Sequence, residues 1–298
     1  MTNTQIVTAN HKHRPLEELN LIDDFLFQEM LSHEDGEEFC RILLRTILNR
    51  PIRKVKIIPQ KAISGIDTNH HGIRMDAYIE EFSDTPLSPE AVITDSNVMP
   101  DIYDMEPNKQ YEKHTLPRRM RYYHGILDTQ FLSAGADYDK LPNIVIITIL
   151  PYDPFGRNRM VYTIANQCLE DSSIPYDDGA RKIFLYTKGT AGNPSQELKD
   201  MLNYIEATSE KNVTNPDIAT IHRFVEKLKH KKEVGINYMK SWELEKMYRK
   251  QGLAEGIKAL VTTCQELGIS QSETTSKIMQ KLSIEQADAE DYVRRFWQ

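Results

Sequence analysis

Two short stretches hold residue types that bind hard cations. Asp76 stands within Arg74, Met75, Asp76, Ala77, Tyr78 and Ile79, where strand alternation puts it on the face opposite Met75 and Ala77. In a second strand-like stretch Asp104, Glu106 and Asn108 share one face, with Pro107 between the last two. A carboxylate among the apolar residues of a strand is costly unless it is paired or holds a cation. If the two strands lie side by side, Asp76 and Glu106 meet at one cation site with Asp104 close by. Magnesium suits such oxygen ligands and completes its shell with waters and a substrate phosphate. Alternation alone leaves the other reading open, carboxylates at a sheet edge or in a loop that simply face water.

The charge around these residues is uneven. The 298 residues carry a formal net charge of −7, which as a whole-chain sum does not favour a polyanionic partner. Residues 82 to 106, however, contain Asp84, Glu90, Asp95, Asp101, Asp104 and Glu106 and no Lys or Arg. Residues 107 to 125 then bring Lys109, Lys113, Arg118, Arg119 and Arg121 against Glu112 alone. An acidic strand end that runs into a basic helix suits metal-assisted phosphodiester chemistry, in which carboxylates hold a cation and cations hold phosphates. The alternative is a solvated helix face whose arginines pair with nearby acids.

These residues need a scaffold. Asp23 can cap a helix carrying Phe25, Phe27, Met30 and Leu31, and a second helix starting near Ser32 or Asp35 carries Phe39, Ile42, Leu43 and Ile47 until Asn49, Arg50 and Pro51 end it. Strands are predicted over Val55 to Ile63, Ile73 to Phe82 and Val98 to Glu106, with Ser83 to Asn97 an exposed loop or hairpin insertion. Pro117 opens a helix running to about Ala134, with Met120, Tyr123, Leu127, Phe131 and Ala134 on one side and Arg118, Arg121, Tyr122 and Gly125 opposite. Ile144 to Leu150 is a continuous apolar strand, buried on both faces, and Lys182 to Thr187 is a last strand. From Pro194 onward the patterns are helical: Glu197 to Ala207, Ile218 to Lys229, Tyr238 to Leu260, and two short helices across Ser270 to Trp297. The expected division is a polar leader over 1–19, an α/β core over 20–193, a helical extension over 194–250 and a helical tail over 251–298.

Other chemistries find little support. Cys40, Cys168 and Cys264 form no Cys-x-x-Cys pair, so neither a disulfide framework nor a thiolate zinc site is indicated; Cys40 and Cys168 read as small core residues. His70 and His71 are adjacent and read as a loop pair. No Walker loop, dinucleotide fingerprint or Gly-x-Ser-x-Gly occurs. With no membrane-length apolar run and no secretory h-region, a reducing, cytoplasmic setting without a membrane partner is expected.

The runs Asp23 to Phe27, Arg74 to Asp76, Ile102 to Glu106 and Leu116, Pro117, Arg118, Arg119, Met120, Arg121, Tyr122, Tyr123 together resemble the PD-(D/E)xK nuclease family transposases, also called Rpn-type recombination-promoting nucleases. The strings Leu150 to Gly156 and Tyr162, Thr163 are similar to that family too, and the likeness covers about residues 20 to 240. It implies a restriction-endonuclease-like mixed sheet flanked by helices, with a helical C-terminal region, that cuts DNA with Mg²⁺, or Mn²⁺ as a substitute. By motif match Asp76 and Glu106 ligate the metal, and the Pro107 carbonyl adds a ligand. The wider superfamily places a lysine two positions after that Glu to orient or activate the attacking water, and this family often has glutamine. Here the position is Asn108, which can place a water but cannot carry charge or take a proton. Lys109 could stand in only if Pro107 breaks the alternation. Arg118, Arg121 and Tyr122 are the implied phosphate contacts, with Lys109 beside them on the DNA. The N-terminal helix would add an acid, Glu29 or Glu38. A catalytically weak descendant that binds nucleic acid or partners is the rival expectation, and the C-terminal helices could support a homo-oligomer.

Overall fold

A computed structural model describes residues 14–65, 69–82, 101–112, 114–132 and 134–298. Its contacts divide the chain into two compact units, Glu17–Lys231 on the one hand and Met1–Leu16 with Lys232–Gln298 on the other. The division falls inside the stretch that the sequence suggested as a helical extension.

The first unit is built on a six-stranded mixed sheet. The strands are β1 (Val55–Ile63), β2 (Ile73–Glu81), β3 (Asp101–Pro107), β4 (Ile144–Leu150), β5 (Val161–Ile164) and β6 (Ala180–Tyr186), in the order β1-β2-β3-β4-β6-β5. The β1/β2, β2/β3 and β5/β6 pairs are antiparallel, whereas β3/β4 and β4/β6 are parallel. Helices α1 (Asp24–Ser32) and α2 (Gly36–Leu48) precede the sheet, and α3 (Leu116–Asp128) connects β3 to its parallel neighbour β4. Helices α4 (Gln196–Glu206) and α5 (Pro216–Lys229) complete the unit.

Local chemistry explains these elements. The α1–α2 turn is tight enough that a Cβ at Gly36 would lie 2.5 Å from the Leu31 carbonyl oxygen, so only glycine fits. Helix α2 buries Phe39, Cys40, Ile42, Leu43 and Leu44 and stops at Asn49, whose φ of 49° is left-handed. All seven residues of β4 are buried, as expected of a central parallel strand. On the face of the sheet that carries α3, Tyr78, Ile102, Ile144, Ile146, Leu150 and Phe184 pack with Leu116, Met120, Ile126 and Leu127 of the helix. That packing fixes the rotation of α3 about its own axis.

Several boundaries differ from expectation. Helix α3 ends at Asp128 rather than near Ala134, because Thr129 donates its hydroxyl to the Ile126 carbonyl (2.7 Å) and the next N–H groups bond three residues back. Strand β5 was not expected; its four half-buried or exposed residues are too few to show an alternation. Strand β6 starts two residues earlier and ends one residue earlier than expected. Cys168 is only half-buried, in a loop where its thiol meets Glu170, and is not a core residue. Ser83 to Asn97, and Val98 to Pro100 of the expected third strand, lie outside the described residues.

In the second unit, α6 (Lys232–Glu266), α7 (Gln271–Leu282) and α8 (Gln286–Phe296) bury Ile257, Val261, Ile278, Ile284, Ala289 and Val293 together, with Trp297 packed against that cluster. Among the described residues no helix is long and apolar enough to cross a membrane.

Candidate functional site

The site lies at the C-terminal end of β3, on the face that carries α3. The β2/β3 register sets Tyr78 opposite Asp104 and Ala77 opposite Met105. One more step places Asp76 opposite Glu106, so Asp76, Asp104 and Glu106 share a face as the alternation required. Asp104 sits between Tyr78 on β2 and Ile146 on β4 and is 0% exposed, while Glu106 is 5% exposed.

Asp104 is the unusual member. Among the described residues neither of its carboxylate oxygens has a hydrogen-bond partner. Burial, then the charges of Glu106 and Asp76, push its carboxyl well above the usual range. Burial likewise raises Glu106 to about 7, against the opposing pull of Arg119 and with Asp76 and Glu112 adding to the rise. Asp76 is raised by burial too, and that rise is moderated by Gln60, Arg119, Arg74 and Gln28. Buried polar groups are normally satisfied, so an unpartnered carboxylate here calls for a proton or a cation.

One arginine serves this carboxylate surplus directly. Arg119 of α3 donates to Glu106 through Nη2 (3.1 Å) and to Glu112 through Nη1 (2.7 Å), and its buried Nε has no acceptor. Its guanidinium lies 5.9 Å from the Tyr123 ring centre. Arg118 and Arg121 project from the exposed side of α3, and Tyr122 donates its hydroxyl to the His71 carbonyl. Arg119 was not among the candidates drawn from the sequence. Projected at 100° per residue it flanks the apolar side next to Tyr123, and that flank position was the available signal.

The remaining candidates are placed as follows. The Asn108 N–H bonds the Ile149 carbonyl (2.8 Å), so by strand alternation the Pro107 carbonyl points toward β2, where Asp76 lies. The Asn108 amide is engaged at both ends, its oxygen accepting from the Gln110 N–H (2.9 Å) and its nitrogen approaching Glu112 (3.4 Å). Lys109 pairs with Asp23 at 2.5 Å. Of the two acids proposed for the N-terminal helix, Glu38 makes a two-pronged pair with Arg41 on α2. An acid that feels the charge of Asp76 is Asp24, the first residue of α1. Its carboxyl is raised to about 6 by desolvation, then by Asp76 and Asp23, against Lys109. Asp24 is itself exposed to solvent.

The oxygens of Asp76, Asp104 and Glu106 do not all lie within 4.8 Å of one another. Among the described residues the set with that closeness is His33, Glu34 and Asp35. Lysines already occupy that set: Lys227 bonds Glu34 and Asp35, and Lys231 contacts His33. The β2–β3 carboxylates, by contrast, have hard-oxygen donor chemistry, unsatisfied acceptors at Asp104, and one shared arginine. Those properties fit a divalent cation such as Mg²⁺.

The chain matches no protein-family model, no curated protein and no solved structure.

Proposed function

We propose that the Glu17–Lys231 unit is a Mg²⁺-dependent DNA endonuclease of the PD-(D/E)xK transposase-like, recombination-promoting kind, working in the cytoplasm. The observation that carries this reading is the buried Asp104 carboxylate, without a hydrogen-bond partner among the described residues, beside Asp76 and Glu106 on one face of the sheet. Asp76, Glu106 and the Pro107 carbonyl would hold the cation, with Asp104 as a further negative charge behind them. When bound, the cation polarises a phosphodiester and lowers the pKa of a water.

The protein's own groups do the rest. Arg119, held between Glu106 and Glu112, is placed to offset charge that develops on a phosphate, and its unused Nε keeps one donor in hand. Arg118, Arg121 and Lys109 offer outer contacts along the DNA backbone. Asn108 is assigned to water placement, which requires its amide to leave Gln110 or Glu112. That engagement, and the lack of a lysine at position 108, favour a second reading, a nucleic-acid-binding descendant with weak or no cutting.

Plasmid nicking by purified protein with Mg²⁺ or Mn²⁺, beside Asp76→Ala and Glu106→Ala, decides between them. The expected result is metal-dependent cutting that falls on the order of 100-fold or more in each variant. Cutting that survives both substitutions overturns the site. No cutting, with DNA retained on a column equally by all three proteins, supports the binding reading instead.

A further inference from the structure

Two glutamines from separate elements converge on one oxygen of Asp76. Gln28 of α1 donates its amide to Oδ1 at 2.6 Å, and Gln60 of β1 donates to the same atom at 3.0 Å. No hydrogen bond from the described residues reaches Oδ2. Gln60 also has an unusual backbone. It lies across from Asp76 in the β1/β2 register, yet the ladder pairs Pro59 with Ala77 and Lys61 with Met75 and skips the residue between. Its φ is +53°, in the left-handed region that non-glycine residues seldom adopt and that is rarer still inside a strand. Such conformations cost free energy and persist where the surroundings enforce them, often at functional sites.

We infer that Gln60, assisted by Gln28, is a positioning residue that clamps Oδ1 of Asp76 and so reserves Oδ2 for the divalent cation. This rests on the metal-dependent reading above. The choice of amides has a physical logic. Two neutral donors fix the rotation of the carboxylate while leaving its full negative charge for a cation, whereas a lysine or arginine in either place would have neutralised it. The kink at Gln60 is where the ladder gives way and the amide comes within hydrogen-bond distance. The clamp thus accounts for three otherwise unrelated facts: a gap in the ladder, a left-handed glutamine and two donors on a single oxygen.

The test is calorimetric titration of Mn²⁺ into the full-length protein, with thermal melts in chelator, for the wild type, Gln60→Gly, Gln60→Asn, Gln28→Leu and Asp76→Asn. Glycine and asparagine both tolerate a positive φ, and neither can reach Asp76 as glutamine does. Both Gln60 variants should melt within about 3 °C of the wild type without metal. Their Mn²⁺ dissociation constants should rise about tenfold or more, the usual effect of losing a group that orients a metal ligand. Gln28→Leu, on a regular helix, should weaken Mn²⁺ in the same direction and guards against a fold defect specific to the kink. If the wild type binds Mn²⁺ and Asp76→Asn does not, while the glutamine variants bind as the wild type does, the clamp is wrong and the site stands. A drop in melting temperature with unchanged Mn²⁺ affinity likewise overturns the clamp and leaves a packing role. If neither the wild type nor Asp76→Asn binds Mn²⁺, the metal-dependent reading fails and takes the clamp with it.

Discussion

The two ends of β3 treat their buried carboxylates in opposite ways. At the N-terminal end Glu81, on the neighbouring β2 and only 5% exposed, takes two hydrogen bonds from Arg50 (2.9 and 2.7 Å), one from the Tyr103 hydroxyl (2.8 Å) and one from the Arg53 N–H (3.0 Å). Burial acts to raise its pKa, but those donors outweigh burial and hold it below the usual range. Toward the C-terminal end Asp104, at the middle of the strand, is more deeply buried and has no donor among the described residues, and Glu106 shares a single arginine with Glu112. The same two strands therefore carry a completed ion pair at one end and an incomplete one at the other. Burial alone marks neither as functional. What separates them is whether the protein supplies the donors, and a charge left unmatched by the chain is a place for something the chain does not contain.

The contrast can be tested from either end. The largest effect is expected for Glu106→Gln. Metal-dependent cutting should fall on the order of 100-fold or more, while the metal-free fold becomes more stable. The sign follows from the carboxyl being raised from 4.5 to about 7: the native state holds the proton more tightly than the unfolded chain, so Glu106 destabilises increasingly as pH rises through that interval. Thermal melts in chelator should show the variant equal to the wild type near the lower limit and ahead of it above the upper one. A variant that melts lower at alkaline pH would refute the unmet charge.

Arg50→Ala should act in the opposite sense. It leaves Glu81 with the Tyr103 hydroxyl and the Arg53 N–H but without its cation, at a cost of about 2 kcal/mol in urea unfolding, modest for a buried pair because Arg50 is itself 38% exposed. The loss should be present at neutral pH and shrink as pH falls from the ordinary carboxylate range to below it, where native Glu81 takes its proton. Mn²⁺ binding should not change, and a change would mean that the two ends are coupled. The smallest effect belongs to Lys109→Ala at the rim. Its pair with Asp23 contributes less than ~1 kcal/mol, since the lysine is 42% exposed. The salt dependence of DNA retention, read as log affinity against log salt, should lose a slope of about 0.9 if Lys109 touches a phosphate.

Much of this arrangement was legible in the chain. The strand bearing Asp76 and the apolar run of β4 follow from alternation and continuous burial, and the same alternation places Asp104 and Glu106 on one face. Cross-element pairing was less visible. Arg118, Arg119 and Arg121 are indistinguishable as types, and only the seating of Met120 and Leu127 on the sheet turns Arg119 toward Glu106. Asp24 was hidden in the same way, because no local pattern ties the first residue of α1 to a strand about fifty positions later.

The sequence by itself determined most of the inventory: the strands that carry the carboxylates, which carboxylates share a face, and that acid is followed by base along the chain. These are short-range consequences of backbone periodicity, which each segment carries within itself. The tertiary structure decided the partners. It gave Arg50 to Glu81, gave Arg119 to Glu106, brought Gln28 and Gln60 to the same oxygen of Asp76 and left Asp104 with none. Hydrogen bonding acts over about 3 Å between elements far apart in sequence. Which donors fall within that reach depends on how the helices are rotated against the sheet, and that is settled only when the core closes.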